Sequence, residues 1–259
     1  MDILSKKMML DMPNAGLKYN SGYGEISAFK SVPAEVSFCL TIQMTQEQYD
    51  QLRDSVTIIG CSNGTSFFYL YKRTSSYMPG FTWSYKNANL AEDPSFEVKA
   101  AYYNSVMSAI LDGKPHKLVC CVGNRTKEAL SSLSGYSDKG LKFFLDGVAV
   151  NDGIGGRNKQ FLNVPTDFYA TNTFRIGTNT TYTLTGGVLS NIKYFNFDIS
   201  ATGAAYSLED YQSNRDIPEA ISGNVLLNLQ NNISGSTWTD DSGNANNMTL
   251  SGDYEITDE

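Results

Sequence analysis

A chain of 259 residues with 41% hydrophobic and only 18% charged residues has enough apolar material for a real core and too little charge for a disordered tail. Its net charge of −7 argues against a nucleic-acid surface, where phosphate binding needs clustered Lys and Arg. One histidine, His116, excludes a multi-His zinc site and confines any His-dependent catalysis to that position.

In chain order, the opening MDILSKKMMLDMPNAG has only Met8, Met9 and Leu10 behind its Lys pair, too short an apolar stretch for a secretory leader. No segment approaches the roughly 20 apolar residues that span a bilayer, so membrane insertion is not expected. The segment EVSFCLTIQM alternates Val36, Phe38, Leu40, Ile42 and Met44 with Ser37, Cys39, Thr41 and Gln43, which predicts a half-buried strand with one core face. TQEQYDQL follows as a short helix: Thr45 and Gln48 form a capping box, and Met44 can staple onto Tyr49. TSFFYLYK, FTWSYK, SFEVKAAYY and HKLVCCVG read as further strands, with Phe81, Trp83 and Tyr85 alternating in the second. In KFFLDGVAV, Asp146-Gly147 between apolar runs predicts a two-residue hairpin, whose turn needs positive φ. TFRIGT and VLSNIKYFNFDI continue the series. A second short helix, SLEDYQ, is capped by Ser207 with Asp210 at N3 and stapled by Tyr206 to Tyr211. NVLLNLQ and MTLSG close the strands.

About ten or more short strands with turn signals between them and only two short helices predict an all-β fold, an antiparallel β-sandwich of jelly-roll type. Loops rich in Gly, Asn, Thr and Ser at 62–66, 151–158, 177–187 and 231–247 are too short to be linkers, so residues 1–259 read as one domain. Cys39, Cys61, Cys120 and Cys121 contain no C-x-x-C pair, and adjacent Cys120 and Cys121 point to opposite faces of a strand. All four are expected to be reduced thiols in a chain made in the cytoplasm.

From His116 onward the order of motifs resembles the laminin-G-like, concanavalin A-like lectin/glucanase superfamily. HKLVCCVG matches its Trp-His-His-type strand, reduced here to Pro115-His116, and KFFLDGVAV at 142–150 matches its strand–Asp-Gly–strand hairpin. FRIGTNT at 174–180 matches the "IG" strand, and LTGGVLSNIKYFNFDIS followed by YSLEDYQ matches the strand with a trailing helix. WTDDSGNANNMTLSG at 238–252 resembles an element that usually opens such a module, yet here it closes the chain. Two readings follow: 224–252 packs back beside the N-terminal strands, or a second module begins there.

The resemblance implies glycan recognition and requires a search for catalytic carboxylates. Retaining glycosidases hold two carboxyls about 5–5.5 Å apart. The ten glutamates show no Glu-x-Asp-x-Glu spacing that would set such a pair on one strand face. There is no Gly-x-Ser-x-Gly elbow, so His116 reads as a packing or hydrogen-bonding residue. Gly153-Ile154-Gly155-Gly156-Arg157 lacks the Lys-Ser/Thr ending of a phosphate loop. The expectation is a non-enzyme.

Candidate calcium ligands are Asp240, Asp241, Asn244 and Asn246, crowded into one turn. The same residue types also satisfy a tight turn by side-chain-to-backbone hydrogen bonds with no metal present. Calcium is therefore allowed and no cofactor is required. Sugar stacking needs exposed aromatic faces, for which Tyr182, Trp238, Tyr77 and Tyr169 are the candidates, with Tyr85 less favoured and Trp83 expected in the core. The functional expectation is a glycan- or surface-binding structural protein, a homo-oligomeric bacteriophage virion component working with other virion proteins. The alternatives are a secreted carbohydrate-binding module and a glycoside hydrolase.

Overall fold

The computed structural model describes residues 16–19, 22–29, 36–52, 56–62, 67–73, 80–86, 97–103, 105–122, 141–150, 172–177 and 187–257. The strands they form pair antiparallel throughout and make two facing layers. The first layer contains β3 (Val36–Thr45), β8 (Asp112–Val122), β9 (Leu141–Leu145), β10 (Val148–Ala149), β12 (Val188–Phe195) and β13 (Val225–Ser234), in the order β10-β9-β8-β3-β12-β13. The second holds β2 (Tyr23–Phe29), β4 (Thr57–Ser62), β5 (Phe67–Arg73), β6 (Gly80–Lys86), β7 (Glu97–Tyr103) and β11 (Asn172–Ile176), in the order β2-β11-β4-β5-β6-β7. β14 (Thr237–Asp240) and β15 (Met248–Ser251) carry the hydrogen-bonded ladder from β13 to β2.

Period-two alternation puts the large apolar residues of both layers face to face. The Phe38 ring lies 5.4 Å from Trp83 and 5.9 Å from Phe174, and Phe29 stacks on Tyr194 at 5.8 Å. All are fully or almost fully buried, Trp83 included, as expected for a core residue. Burial of each such side chain contributes about 1.5–3 kcal/mol, and the tilted ring pairs add to that.

The first layer differs from expectation on its other face. β3 is buried on both sides: Ser37, Cys39 and Thr41 are as inaccessible as Phe38 and Leu40. The reason is a cover supplied by the chain after β12. There Ile199, Tyr206, Tyr211 and Ile221 form a second apolar cluster with Cys39, Val119, Cys121, Phe195 and Val225. The alternating pattern therefore marks which residues share a face, but solvent wets neither face.

Both expected helices form with their capping boxes. α1 (Gln46–Gln51) is capped by Thr45, whose hydroxyl accepts from the Gln48 amide while Gln48 Oε1 accepts from the Thr45 amide. A third helix, α2 (Ser105–Ile110), was not anticipated: Met107, Ile110 and Leu111 bury one side of it, leaving Ser108 and Ala109 exposed. That i, i+3, i+4 spacing is a helical stripe too short to stand out beside the strands around it. α3 (Leu208–Gln212) is capped by Ser207 with Asp210, and a 3-10 helix, Glu219–Asn224, follows. The hairpin at Asp146 and Gly147 has φ of 48° and 80°, as a two-residue turn requires. No helix among the described residues is long and apolar enough to cross a membrane.

The C-terminal segment runs back beside the first strands. Thr249, Leu250 and Ser251 pair with Glu25, Gly24 and Tyr23, and β16 (Tyr254–Thr257) pairs along all of β1 (Gly16–Tyr19). The close approach explains Gly24, since a Cβ there would collide with Met248 Sδ. All four cysteines are free and buried, Cys120 on the inner face and Cys121 on the outer one. Burial raises the thiols of Cys39, Cys120 and Cys121, the last to about 12, so these three are not ready nucleophiles.

Candidate functional site

The cluster at 240–246 is organised by one buried carboxylate. β14 ends at Asp240, where Oδ1 accepts from the amides of Asn228 at 2.9 Å and Ser242 at 3.0 Å. Oδ2 accepts from Ser242 Oγ at 2.7 Å and the Asn246 amide at 3.0 Å. Asn244 Nδ2 donates to the Val225 carbonyl and Asn246 Nδ2 to the Leu226 carbonyl, fastening the turn to β13. Gly243 and Ala245 take positive φ to close it.

This is a turn built by side-chain-to-backbone bonds, and the donor set does not fit a calcium ion. Every lone-pair direction of the Asp240 carboxylate already faces a donor of the chain, and calcium wants six to eight oxygens. The turn also separates Asp241, which faces outward and accepts from Asn232 Nδ2 at 3.3 Å. Among the described residues, no group of three His, Cys, Asp or Glu side chains is disposed to hold a metal.

Trp238 corrects a sequence expectation. It is fully buried, with Nε1 donating to the Gln230 carbonyl at 2.7 Å, so its ring packs in the core and offers no stacking face. Its opposite neighbours are Ile233 on β13 and Met248 on β15, both apolar. Proximity to a turn made it look accessible; period-two alternation from Asp240 places both residues on an inward side. Tyr77, Tyr169 and Tyr182 lie outside the described residues. Tyr85 stands on β6 opposite Phe68 and Val98.

What the turn does create is one wall of a groove of about 230 Å³. Asp241 and Ser242 stand on that wall, Asn228 and Gln230 come from β13, and Asp216 and Ser222 come from the segment leading into and through the 3-10 helix. Ile217, Pro218 and Val225 give it an apolar side. Pro218 sets the entry of the 3-10 helix with φ of −61°, and this helix runs directly into β13 at Val225. The lining presents carboxylates, amides and hydroxyls beside a small apolar surface, the chemistry that recognises a polyhydroxylated ligand. Asp216, Ser222, Asn228 and Gln230 were missed by sequence reasoning: they lie in one continuous run, but only the fold sets that run against Asp241 and Ser242 of the turn.

Lys193 stands behind this wall. On β12 it is directly opposite Asn228 and Cys39, buried on the covered face, with Nζ 2.5 Å from Asn191 Oδ1 and 5.9 Å from the Tyr211 ring centroid. Burial pushes its pKa down to about 8.

His116 sits elsewhere, at the start of the first layer. Its Nδ1 is 2.8 Å from Asp146 Oδ2 at the hairpin and its Nε2 is 2.9 Å from Asp112 Oδ1 at the beginning of β8. With both ring nitrogens on carboxylates, neither is left for a serine hydroxyl, so the histidine clamps a hairpin to a strand end and does not form a Ser-His-Asp relay.

No protein-family model and no curated protein matches the chain. Among solved structures, the sandwich is similar to a candidate carbohydrate-binding protein from Bacteroides ovatus, with a TM-score of 0.56 and 12% identity over 95% of this chain and 60% of that one. Weaker overlaps are with domains LG4-5 of the mouse laminin α1 chain (TM-score 0.44, 13% identity, 70% of this chain and 41% of that one) and a heptameric SAP-like pentraxin from Limulus polyphemus (0.40, 10%, 73% and 78%). The chain spans about 60% of the length of the Bacteroides protein, and what the two share is the antiparallel jelly-roll sandwich.

Proposed function

We propose that this chain is a non-catalytic glycan-binding protein that holds its ligand in the groove beside the Asp240 turn. The observation that carries the reading is the groove's lining: Asp216, Asp241, Asn228, Gln230, Ser222 and Ser242 offer hydroxyl partners next to the apolar side of Ile217, Pro218 and Val225. The sandwich shared with a candidate carbohydrate-binding protein supports it, although one fold hosts many activities and the weight rests on the groove. A binding role also suits the engagement of both nitrogens of His116, since a general base needs a free one.

The finer placement is a bacteriophage virion component, such as a head or tail fibre, a capsid decoration or a receptor-binding protein, acting as a homo-oligomer with other virion proteins. Four buried cysteines outside any disulfide support it, because they suit a chain made in a reducing cytoplasm. Mass spectrometry of purified particles from a lysogen carrying the gene tests that placement, and absence of the chain from them would remove it.

The binding reading is tested on a glycan array with calcium and again with chelator. Specific binding that survives chelator is expected, and N228A together with Q230A should abolish it. Binding that needs calcium would point to ligands away from Asp240. Binding untouched by the two substitutions would move the site off this groove.

A further inference from the structure

The groove beside the Asp240 turn has an unbalanced set of hydrogen-bonding groups. Asp216 brings a carboxylate that accepts no hydrogen bond from the described residues, and Asp241 has one oxygen engaged by Asn232 and the other without a donor. Gln230 directs its amide donor at Asn228 Oδ1, 3.0 Å away, and its side-chain Oε1 accepts from nothing among the described residues. Asn228 in turn keeps an amide nitrogen that donates to nothing among the described residues, although the residue is only 7% exposed and lines the groove. That nitrogen is not among the sealed-off side-chain polar atoms without a partner, so it meets the solvent of the groove, and a ligand oxygen can accept from it in place of water.

The rest of the inventory is acceptor-rich and negative. Among the described residues, two aspartates line the groove and no Lys or Arg does. The buried Lys193 opposite Asn228 keeps its ammonium on Asn191 Oδ1 and feels both Asp216 and Asp241 from behind the wall, but its one positive charge does not offset two carboxylates. A sugar hydroxyl brings one donor together with its acceptors, so a neutral sugar leaves the surplus of acceptors unchanged. An ammonium brings three donors, a positive charge and no acceptor. A uronate or sialate carboxylate would instead place a third negative charge beside the two aspartates.

Resting on the glycan-binding reading, we propose that the groove selects sugars bearing a free amine, of the glucosamine type, and disfavours acidic sugars. Asp216 and Asp241 receive the ammonium, and Asn228 Nδ2 donates to a hydroxyl or ring oxygen of the same unit. The charged hydrogen bonds are the stronger ones and set the preference, which weakens with salt because the groove is open to solvent.

The test titrates the full chain, in EDTA so that no metal bridge imitates the ammonium, with a glucosamine tetramer, its fully N-acetylated counterpart and tetragalacturonate. Side-chain amide resonances of Asn228 and Gln230 report occupancy of this groove. Tight binding of the amine form, about tenfold weaker binding of the acetylated form and no response to tetragalacturonate are expected. D216N with D241N should bring the first two within twofold of one another, chiefly by weakening the amine form. Equal affinities for all three in the wild-type chain, or a preference unchanged in the double variant, would overturn the amine selectivity and leave glycan binding standing. Silence with all three sugars would overturn both.

Discussion

The two faces of the layer β8-β3-β12-β13 are built on different principles although both are buried. The inner face is Phe38, Leu40, Ile42, Leu118, Ile192, Tyr194, Leu227 and Leu229, closed by shape against Trp83 and Phe174. The outer face mixes Cys39, Val119 and Phe195 with Ser37, Lys117, Asn191, Lys193 and Asn228, and is closed by named hydrogen bonds to the covering segment. Ser37 Oγ donates to the Phe197 carbonyl at 2.7 Å and accepts from the Ile199 amide at 2.9 Å. Lys117 Nζ reaches the carbonyls of Tyr211 and Gln212 and Asn214 Oδ1, and Tyr211 OH donates to the Asn191 carbonyl at 3.0 Å. Hydrophobic closure tolerates repacking, whereas polar closure admits one geometry. The outer face therefore fixes where the covering segment lies, and with it the Asp216 and Ser222 side of the groove.

The comparison is broken most directly by removing volume from the inner face. Phe38→Ala should destabilise by about 3–5 kcal/mol, because the ring sits between Trp83, Phe174 and Tyr194 and the cavity cannot collapse. Urea titration measures it, and a cost below about 1 kcal/mol would show that the layers are not packed as described.

At the groove end the polar principle is tested by Asp240→Ala. The change orphans the amides of Asn228 and Asn246, both buried residues, along with the Ser242 amide, and about 2–3 kcal/mol of destabilisation is expected. Glycan affinity should fall as well, since the wall bearing Asp241 and Ser242 loosens. An unchanged stability would show that the turn is held by other bonds.

Lys193 sharpens the contrast in the opposite direction. Its burial is unfavourable to the charge, so Lys193→Met should stabilise the chain by about 1–3 kcal/mol near neutral pH. The sign follows from the depressed pKa. Between about 8 and the ordinary value of 10.5 the unfolded chain holds a proton that the folded chain has released, so this lysine makes stability rise with pH across that window. The advantage of the methionine variant should shrink accordingly from pH 8 to pH 10.5. A gain that is constant with pH, or a loss of stability at pH 7, would show that the ammonium is better solvated than its surroundings suggest.

What the sequence made legible follows the same division. Strands, the Asp146-Gly147 hairpin and both capping boxes were readable because each depends on residues within a few positions of one another. The inner face was readable from alternation in β3. The burial of Ser37, Cys39 and Thr41 was not, because it depends on a cover some 160 residues later in the chain, as the Ser37–Ile199 bond shows. The groove failed to appear for a related reason: Asp216 and Gln230 lie in one run of chain, and they form a groove only where the fold sets that run against the 240–246 turn. Asp240 was named as a candidate calcium ligand whose residue type equally suits a tight turn, and one sequence could not decide between a cation and the chain's own amides as its partners. Trp238 was misplaced because a position near a turn was weighed above its side of the strand.

The smallest expected effect concerns the rim of the inner face, where His116 stands opposite Ile42 between two carboxylates. Burial works against the imidazolium, but hydrogen bonds to Asp146 and Asp112 outweigh it and the pKa is raised above its ordinary 6.5. Asp112 is held below its ordinary 3.8 mainly by its bond to His116. A raised histidine contributes stability that is complete below its unfolded value and is lost as pH rises through the folded one. A lowered aspartate contributes stability present above its unfolded value and lost as pH falls through the folded one. The clamp is thus strongest between roughly pH 4 and 6.5, the unfolded values of the two groups. Both carboxylates are partly exposed, so screening limits the histidine's contribution to about 0.5–1 kcal/mol. His116→Gln keeps hydrogen-bonding capacity without the charge and should flatten the fall in urea midpoint between pH 6 and 8.5. Parallel pH profiles for the two chains would mean that the imidazole titrates alike in the folded and unfolded chain and that geometry alone holds the hairpin to the start of β8.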